Sequence, residues 1–203
     1  MDLKKIEELY TNNLKQFGID SKSVGWKDSN SQELRFQKLC AVVDSSIPFS
    51  VNELGCGYGE LIPFLDQNYP KLLHNYNGYD ISQDMLDAAA KYIGEDPRAH
   101  WFHESKLQTE ADYCITSGIF NVRFDEQESS WKDYIFETLM AMYKHANKGI
   151  SFNLLSTYVD WKADNLHYQD PTELFDFCKK NLSKKVALLH DYPLFEFTII
   201  VRK

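Results

Sequence analysis

The chain has 203 residues, of which 43% are hydrophobic and 14% aromatic, enough for a sizeable core and too much for wholesale disorder. Its 22 Lys and Arg against 30 Asp and Glu leave a net charge of −8, which argues against a surface built to track a nucleic-acid backbone. No apolar run approaches the roughly 20 residues of a membrane span, and Cys40, Cys56, Cys114 and Cys178 are too scattered for a disulfide framework or a structural zinc site.

In chain order, Ile6, Leu9, Tyr10, Leu14 and Phe17 recur every three to four residues before Gly18, which predicts a capped helix. A polar stretch from Asp20 to Ser31 follows. A second helix is predicted over about 32–44, capped by Ser31, with Pro48 marking the exit. The rhythm then becomes strand, glycine turn, helix, strand. Val51–Leu54 reads as a strand, Gly55–Gly59 as a tight turn, and Glu60–Asp66 as a helix that tolerates Pro63 in its first turn. Strands are predicted at Tyr76–Tyr79, Ala99–His103 and Tyr113–Ser117, with a helix beginning at Ser82. Trp131–His145 keeps a helical period, and Gly149 breaks the chain before a strand at Ile150–Leu155. After a long loop, Asp170-Pro171 opens the last helix, and strands at Val186–His190 and Phe195–Val201 close the chain.

Alternating strands and helices imply an α/β fold: a Rossmann-like, mainly parallel sheet with helices on both faces. Ligands of such sheets bind beyond the carboxyl ends of the strands, where strand order reverses. The segment Asn52-Glu53-Leu54-Gly55-Cys56-Gly57-Tyr58-Gly59 is the most informative. Glycines at alternate positions let a strand turn sharply while bare backbone meets a ligand. The dinucleotide pattern G-x-G-x-x-G fails because position 60 is Glu, and no Gly-Lys-Ser/Thr follows to make a phosphate loop. Asp80 ends the next strand, 25 residues after Gly55, about where a carboxylate meets a ribose diol.

Glu53-x-Gly55-x-Gly57-x-Gly59, Asp80, and the fourth strand Asp112–Gly118 resemble the class I S-adenosylmethionine-dependent methyltransferases. The resemblance runs from about Gly25 to Lys203 and implies seven strands, the last forming a C-terminal antiparallel hairpin. Residues 25–36 resemble the opening segment of a bacterial subgroup linked to surface-polysaccharide biosynthesis. Carried over, the family pattern implies that Gly55, Cys56 and Gly57 lie against the methionine part of S-adenosylmethionine and that Glu53 organises the turn. Asp80 would hold the ribose, Ile81 and Met85 would flank the adenine, and Glu104 would meet its amino group. Ser117 and Gly118 would sit beside the transferred methyl. Arg35 would pair with the cofactor carboxylate, with Gln32 and Trp26 closing over it.

Methyl transfer from a sulfonium needs mainly in-line approach and exclusion of water, with a base for the acceptor proton. His167 and His190 are the candidate bases, since both follow strands predicted to end at the ligand edge. Asn121, Tyr158, Trp161, Tyr168 and Tyr192 are the candidate acceptor-binding residues for the same reason. No His, Cys, Asp or Glu cluster argues for a metal. The expected function is transfer of a methyl group to oxygen or nitrogen of a small metabolite, such as a sugar or phosphorylated precursor of a surface polysaccharide. The alternatives are a macromolecular substrate, protein or RNA, and a nucleoside-binding module without chemistry. The N-terminus lacks the apolar run of a signal peptide. A cytoplasmic monomer or homodimer is expected, one domain over 1–203 with 1–49 as a helical extension or lid, and with no nucleic-acid or membrane partner.

Overall fold

A computed structural model describes residues 1–203. The strands are β1 (Phe49–Leu54), β2 (Leu73–Asp80), β3 (Ala99–His103), β4 (Ala111–Ser117), β5 (Ala146–Leu155), β6 (Lys185–Leu189) and β7 (Glu196–Arg202). The α-helices are α1 (Lys4–Phe17), α2 (Ser29–Leu39), α3 (Leu61–Asn68), α4 (Gln83–Ile93), α5 (Glu128–His145) and α6 (Pro171–Asn181). The strands form one sheet in the order β3-β2-β1-β4-β5-β7-β6. Pairing is parallel from β3 through β5 and antiparallel on both sides of β7. The expected α/β, Rossmann-like sheet with its terminal antiparallel hairpin is the architecture observed. No helix is long and apolar enough to cross a membrane.

Side-chain alternation divides the core into two layers. On β7, Phe197, Ile199 and Val201 join Trp131, Ile135, Leu139 and Met142 of α5 and Leu174 and Cys178 of α6 on one face. Ile200 turns to the opposite face, with Phe36 and Leu39 of α2, Leu61, Ile62 and Leu65 of α3, and Val51, Tyr113 and Ile115 of the central strands. All four cysteines are free and buried.

Several boundaries differ from the sequence expectation, and three of them bear on how the elements are held. The second helix starts at Ser29, because Asp28 rather than Ser31 caps it; Asp28 accepts the Ser31 N–H at 2.8 Å, and Ser31 becomes its capping-box partner. Gly149 lies inside β5, which begins at Ala146 directly on the end of α5. A Cβ at Gly149 would stand 2.7 Å from the Val201 carbonyl oxygen, so this glycine permits close backbone approach to β7 rather than ending a strand. β6 stops at Leu189 and leaves His190 outside it.

Because β1 to β5 and β6 run the same way, their carboxyl ends share one edge. β7 runs oppositely, so its first residue, Glu196, arrives at that edge opposite Leu155. The order reverses between β1 and β4, and a crevice opens there.

Candidate functional site

At that crevice the chain leaves β1 and turns through Gly55–Gly59 into α3. Gly55 and Gly57 have φ of +76° and +53°, the left-handed region where a side chain is strained. The Gly55 and Cys56 amides both donate to the Tyr79 carbonyl, at 2.7 and 3.0 Å, which ties the turn to β2. Asp80 completes the tie. Its Oδ2 accepts the Gly57 N–H and its Oδ1 the Ser82 N–H, each at 2.9 Å. Each carboxylate oxygen keeps acceptor capacity for a ligand hydroxyl. Burial raises the Asp80 pKa above its ordinary value, against the pull of those amides and of nearby His103.

Beneath the turn, Glu53 is buried at 2% exposure and accepts a hydrogen bond from the Tyr76 hydroxyl. Burial pushes its pKa up to about 8, and the charge of Asp80 adds to the shift. A cleft of about 890 Å³, its open mouth included, lies over these groups, within the size range of small-ligand sites. It is lined by Trp26, Gln32, Glu53, Gly55, Cys56, Gly57, Asp80, Ile81, Met85, Glu104, Ser117 and Gly118 from the sequence expectation. Gln32 is buried and accepts from the Tyr58 hydroxyl at 3.1 Å. The Ser117 hydroxyl is buried and has no hydrogen-bond partner, a polar atom left open for a ligand.

Arg35 departs from the expected arrangement. Its guanidinium does not line the cleft; Nε and Nη2 donate to both oxygens of Glu196 at 2.8 Å, and Nη1 donates to the Ser31 carbonyl at 2.8 Å. With three of its five N–H donors engaged by protein, Arg35 faces a carboxylate supplied from β7.

The histidines and the residues expected to bind the acceptor lie outside the cleft lining. His167 is buried at 3% exposure, its Nε2 bonded to the Gln169 amide oxygen at 3.1 Å, and burial lowers its pKa. That environment suits a neutral imidazole bracing the long loop. Asn121 is a staple: its Oδ1 accepts the Leu155 N–H at 3.0 Å and its carbonyl accepts the His167 N–H at 2.8 Å. Tyr192 is buried, its hydroxyl 2.9 Å from the Thr198 hydroxyl, and Tyr168 accepts the Ala163 N–H at 3.0 Å. Tyr158 and Trp161 are 67% and 73% exposed, and the His190 ring lies 5.7 Å from that of Tyr158. Tyr158 and His190 thus pair at the outer surface, and Trp161 is exposed three residues along the chain from Tyr158.

Several lining residues were missed from sequence. Leu3, Ile6 and Tyr10 reach the cleft from the N-terminal segment, Val24 and Phe36 from around α2, and Tyr134 from α5. Burial and the neighbouring charge of Asp80 raise the Tyr10 pKa to about 12. The Thr11 hydroxyl meets that of Ser82 at 2.8 Å, which fastens α1 to the start of α4. The apolar face of the first helix was visible in sequence, but what it covers was not.

No family model matches this sequence. A Mycobacterium tuberculosis protein named as a methyltransferase is 44% identical over 164 residues, which are 80% of this chain and 98% of that protein. Among solved structures, the N-methyltransferase NodS from Bradyrhizobium japonicum, in complex with S-adenosyl-L-homocysteine, superposes with a TM-score of 0.67 at 10% identity. That match covers 96% of this chain and 98% of NodS. Magnesium protoporphyrin IX methyltransferase from Synechocystis, with bound S-adenosylhomocysteine, gives 0.64 at 11% identity and covers 100% of both chains. At such identities the superpositions establish the shared fold.

Proposed function

The chain belongs to the methyltransferases, and on that premise, with the class I fold, we propose that it binds S-adenosylmethionine in the cleft and methylates a small polar metabolite. The observation that carries this reading is the join of Asp80 to the Gly57 amide at 2.9 Å. It sets a carboxylate with spare acceptor capacity beside bare backbone, which is what a ribose diol and an adjoining amino-acid chain require. When bound, the sulfonium supplies an activated methyl group.

The donor set fits such a ligand. No Lys, Arg or His lines the cleft; its acidic groups are Glu53, Glu60, Asp80 and Glu104, and with Glu53 holding a proton below about pH 8 the negative field comes from the other three. Their field favours a ligand carrying sulfonium and ammonium charges. The same field opposes an acceptor that brings a phosphate into the cleft, so an uncharged sugar suits it better than a phosphorylated precursor. The link to surface polysaccharide is supported by the resemblance of residues 25–36, a segment whose Trp26, Gln32 and Phe36 face the cleft.

In this reading the apolar lining, including Leu3, Ile6, Ile119 and Tyr134, excludes water from the reacting atoms. The Ser117 hydroxyl offers a hydrogen bond to whatever approaches the end of β4. Neither His167 nor His190 lines the cleft, so proximity and desolvation take the larger share of catalysis.

Differential scanning fluorimetry and calorimetry test the assignment. S-adenosylhomocysteine at about 100 times its dissociation constant should stabilise the fold by about 2.7 kcal/mol, while NADH at the same concentration should leave the melting temperature unchanged. Equal stabilisation by NADH would overturn the reading. In the same assay Asp80→Ala should weaken binding by about 1.5–3 kcal/mol, roughly 10- to 150-fold. An unchanged affinity in the folded variant would mean that the ribose is held elsewhere.

A further inference from the structure

Glu196 is an acid inside an apolar run, Phe195-Glu196-Phe197, and it is 1% exposed. A carboxylate so far from water requires partners. Two come from Arg35, whose Nε and Nη2 donate at 2.8 Å to its two oxygens. The third is the Asn153 side-chain amide on β5, which donates to Oε2 at 3.0 Å.

The partners lead to the cleft by two routes. The Arg35 guanidinium lies 3.8 Å from the centre of the Trp26 ring, a cation–π contact. On the other side, the Asn153 Oδ1 accepts the Gly118 N–H at 2.8 Å. Trp26 and Gly118 then meet each other. A Cβ at Gly118 would stand only 2.4 Å from the Trp26 ring edge, and φ is +76° there, so only glycine lets the indole close against this backbone. The contacts form a closed ring: Trp26, Arg35, Glu196, Asn153, Gly118 and back to Trp26.

We propose that Glu196 is a positioning residue of the methyl-transfer site, registering the Trp26 wall of the cleft against the Ser117-Gly118 end of β4. This rests on the reading of the cleft as the S-adenosylmethionine site. Trp26 and Gly118 lie on separate segments, and each is braced by a side chain that ends on the one carboxylate of β7. Buried ion pairs contribute little net stability compared with apolar packing, and setting register is their best-attested use. Arg35 thus acts through Trp26 and needs no direct contact with the cofactor.

The test is calorimetric titration of S-adenosylhomocysteine into folded protein, well below the melting temperature. The double variant Arg35→Met/Glu196→Gln removes both charges without stranding either. Asn153→Ala frees the Gly118 amide and leaves the ion pair in place. Each should raise the dissociation constant about tenfold, and the double variant should also red-shift the tryptophan emission as Trp26 loosens. Arg98→Met serves as the control, since Arg98 pairs with Asp66 and Asp96 away from the cleft. It should lower the melting temperature and leave the dissociation constant unchanged, as a purely structural effect does. An unchanged dissociation constant in both cleft variants overturns the proposal and leaves the cofactor assignment standing. Absence of S-adenosylhomocysteine binding by the unaltered chain overturns both.

Discussion

Arg35→Ala should lower the free energy of unfolding by about 3–5 kcal/mol, the range for removing one partner of a buried ion pair. The reason lies in what remains. Glu196, at 1% exposure, would keep only the Asn153 amide as a side-chain donor, and a buried carboxylate without a counter-charge either stays costly or takes up a proton. Trp26 would lose the guanidinium against its face. Urea denaturation should show a lower midpoint with an unchanged slope. Replacing both charges together, in Arg35→Met/Glu196→Gln, should cost far less than Arg35→Ala, because no charge is stranded. A single-variant loss below about 1 kcal/mol would show that Glu196 finds water or another cation.

Glu53→Gln should change how stability responds to pH. Glu53 titrates near pH 8 in the folded chain against an ordinary value of 4.5, chiefly because it is buried. Between those values the folded state holds a proton that the unfolded state has released. The contribution of Glu53 is therefore fully present below about pH 4.5 and declines as pH rises towards 8, by at most about 1.4 kcal/mol per unit. Gln keeps a carbonyl oxygen for the Tyr76 hydroxyl and does not titrate. Stability curves for the two chains should thus diverge across this window, with the Gln variant more stable by a few kcal/mol near pH 8. Parallel curves from pH 5 to 8 would show that Glu53 is ionised throughout. Asp80 shifts in the same direction, so the comparison must be of Gln against Glu at fixed Asp80.

Most of the fold was legible because its elements are local. A strand entering Gly55–Gly59 must turn sharply, and Ser82 and Pro171 announce helix starts through capping and a fixed φ. Two of the misplaced boundaries share a cause: the deciding contact was absent from the pattern that was read. Asp28 out-competed Ser31 as a cap because its carboxylate reaches the third amide of the helix. Gly149 looked like a break because the backbone of β7, which it accommodates, lies more than 50 residues ahead in the chain.

The cleft divides in the same way. Gly55, Gly57 and Asp80 could be named from sequence because they belong to one strand-turn-helix-strand passage, whose geometry follows from short-range rules; Ile81 and Met85 followed from the family resemblance that this passage carries. His167, His190, Asn121 and Tyr192 were chosen because they follow strands predicted to end at the ligand edge, and a shared edge does not settle which way a side chain turns. Packing turned His167 to Gln169, Asn121 to the Leu155 amide and Tyr192 to Thr198.

Sequence alone determined the α/β class, the glycine turn with its carboxylate, and through them the kind of ligand the cleft suits, since each depends on residues close together in the chain. Only the tertiary structure decided that α1 contributes Tyr10 to the cleft and that Arg35 answers to Glu196. Those contacts join segments whose separation leaves no periodic or spacing signal. Apolar packing of Leu3, Ile6 and Tyr10 on the core selects the first, and burial that leaves Glu196 no other counter-charge selects the second.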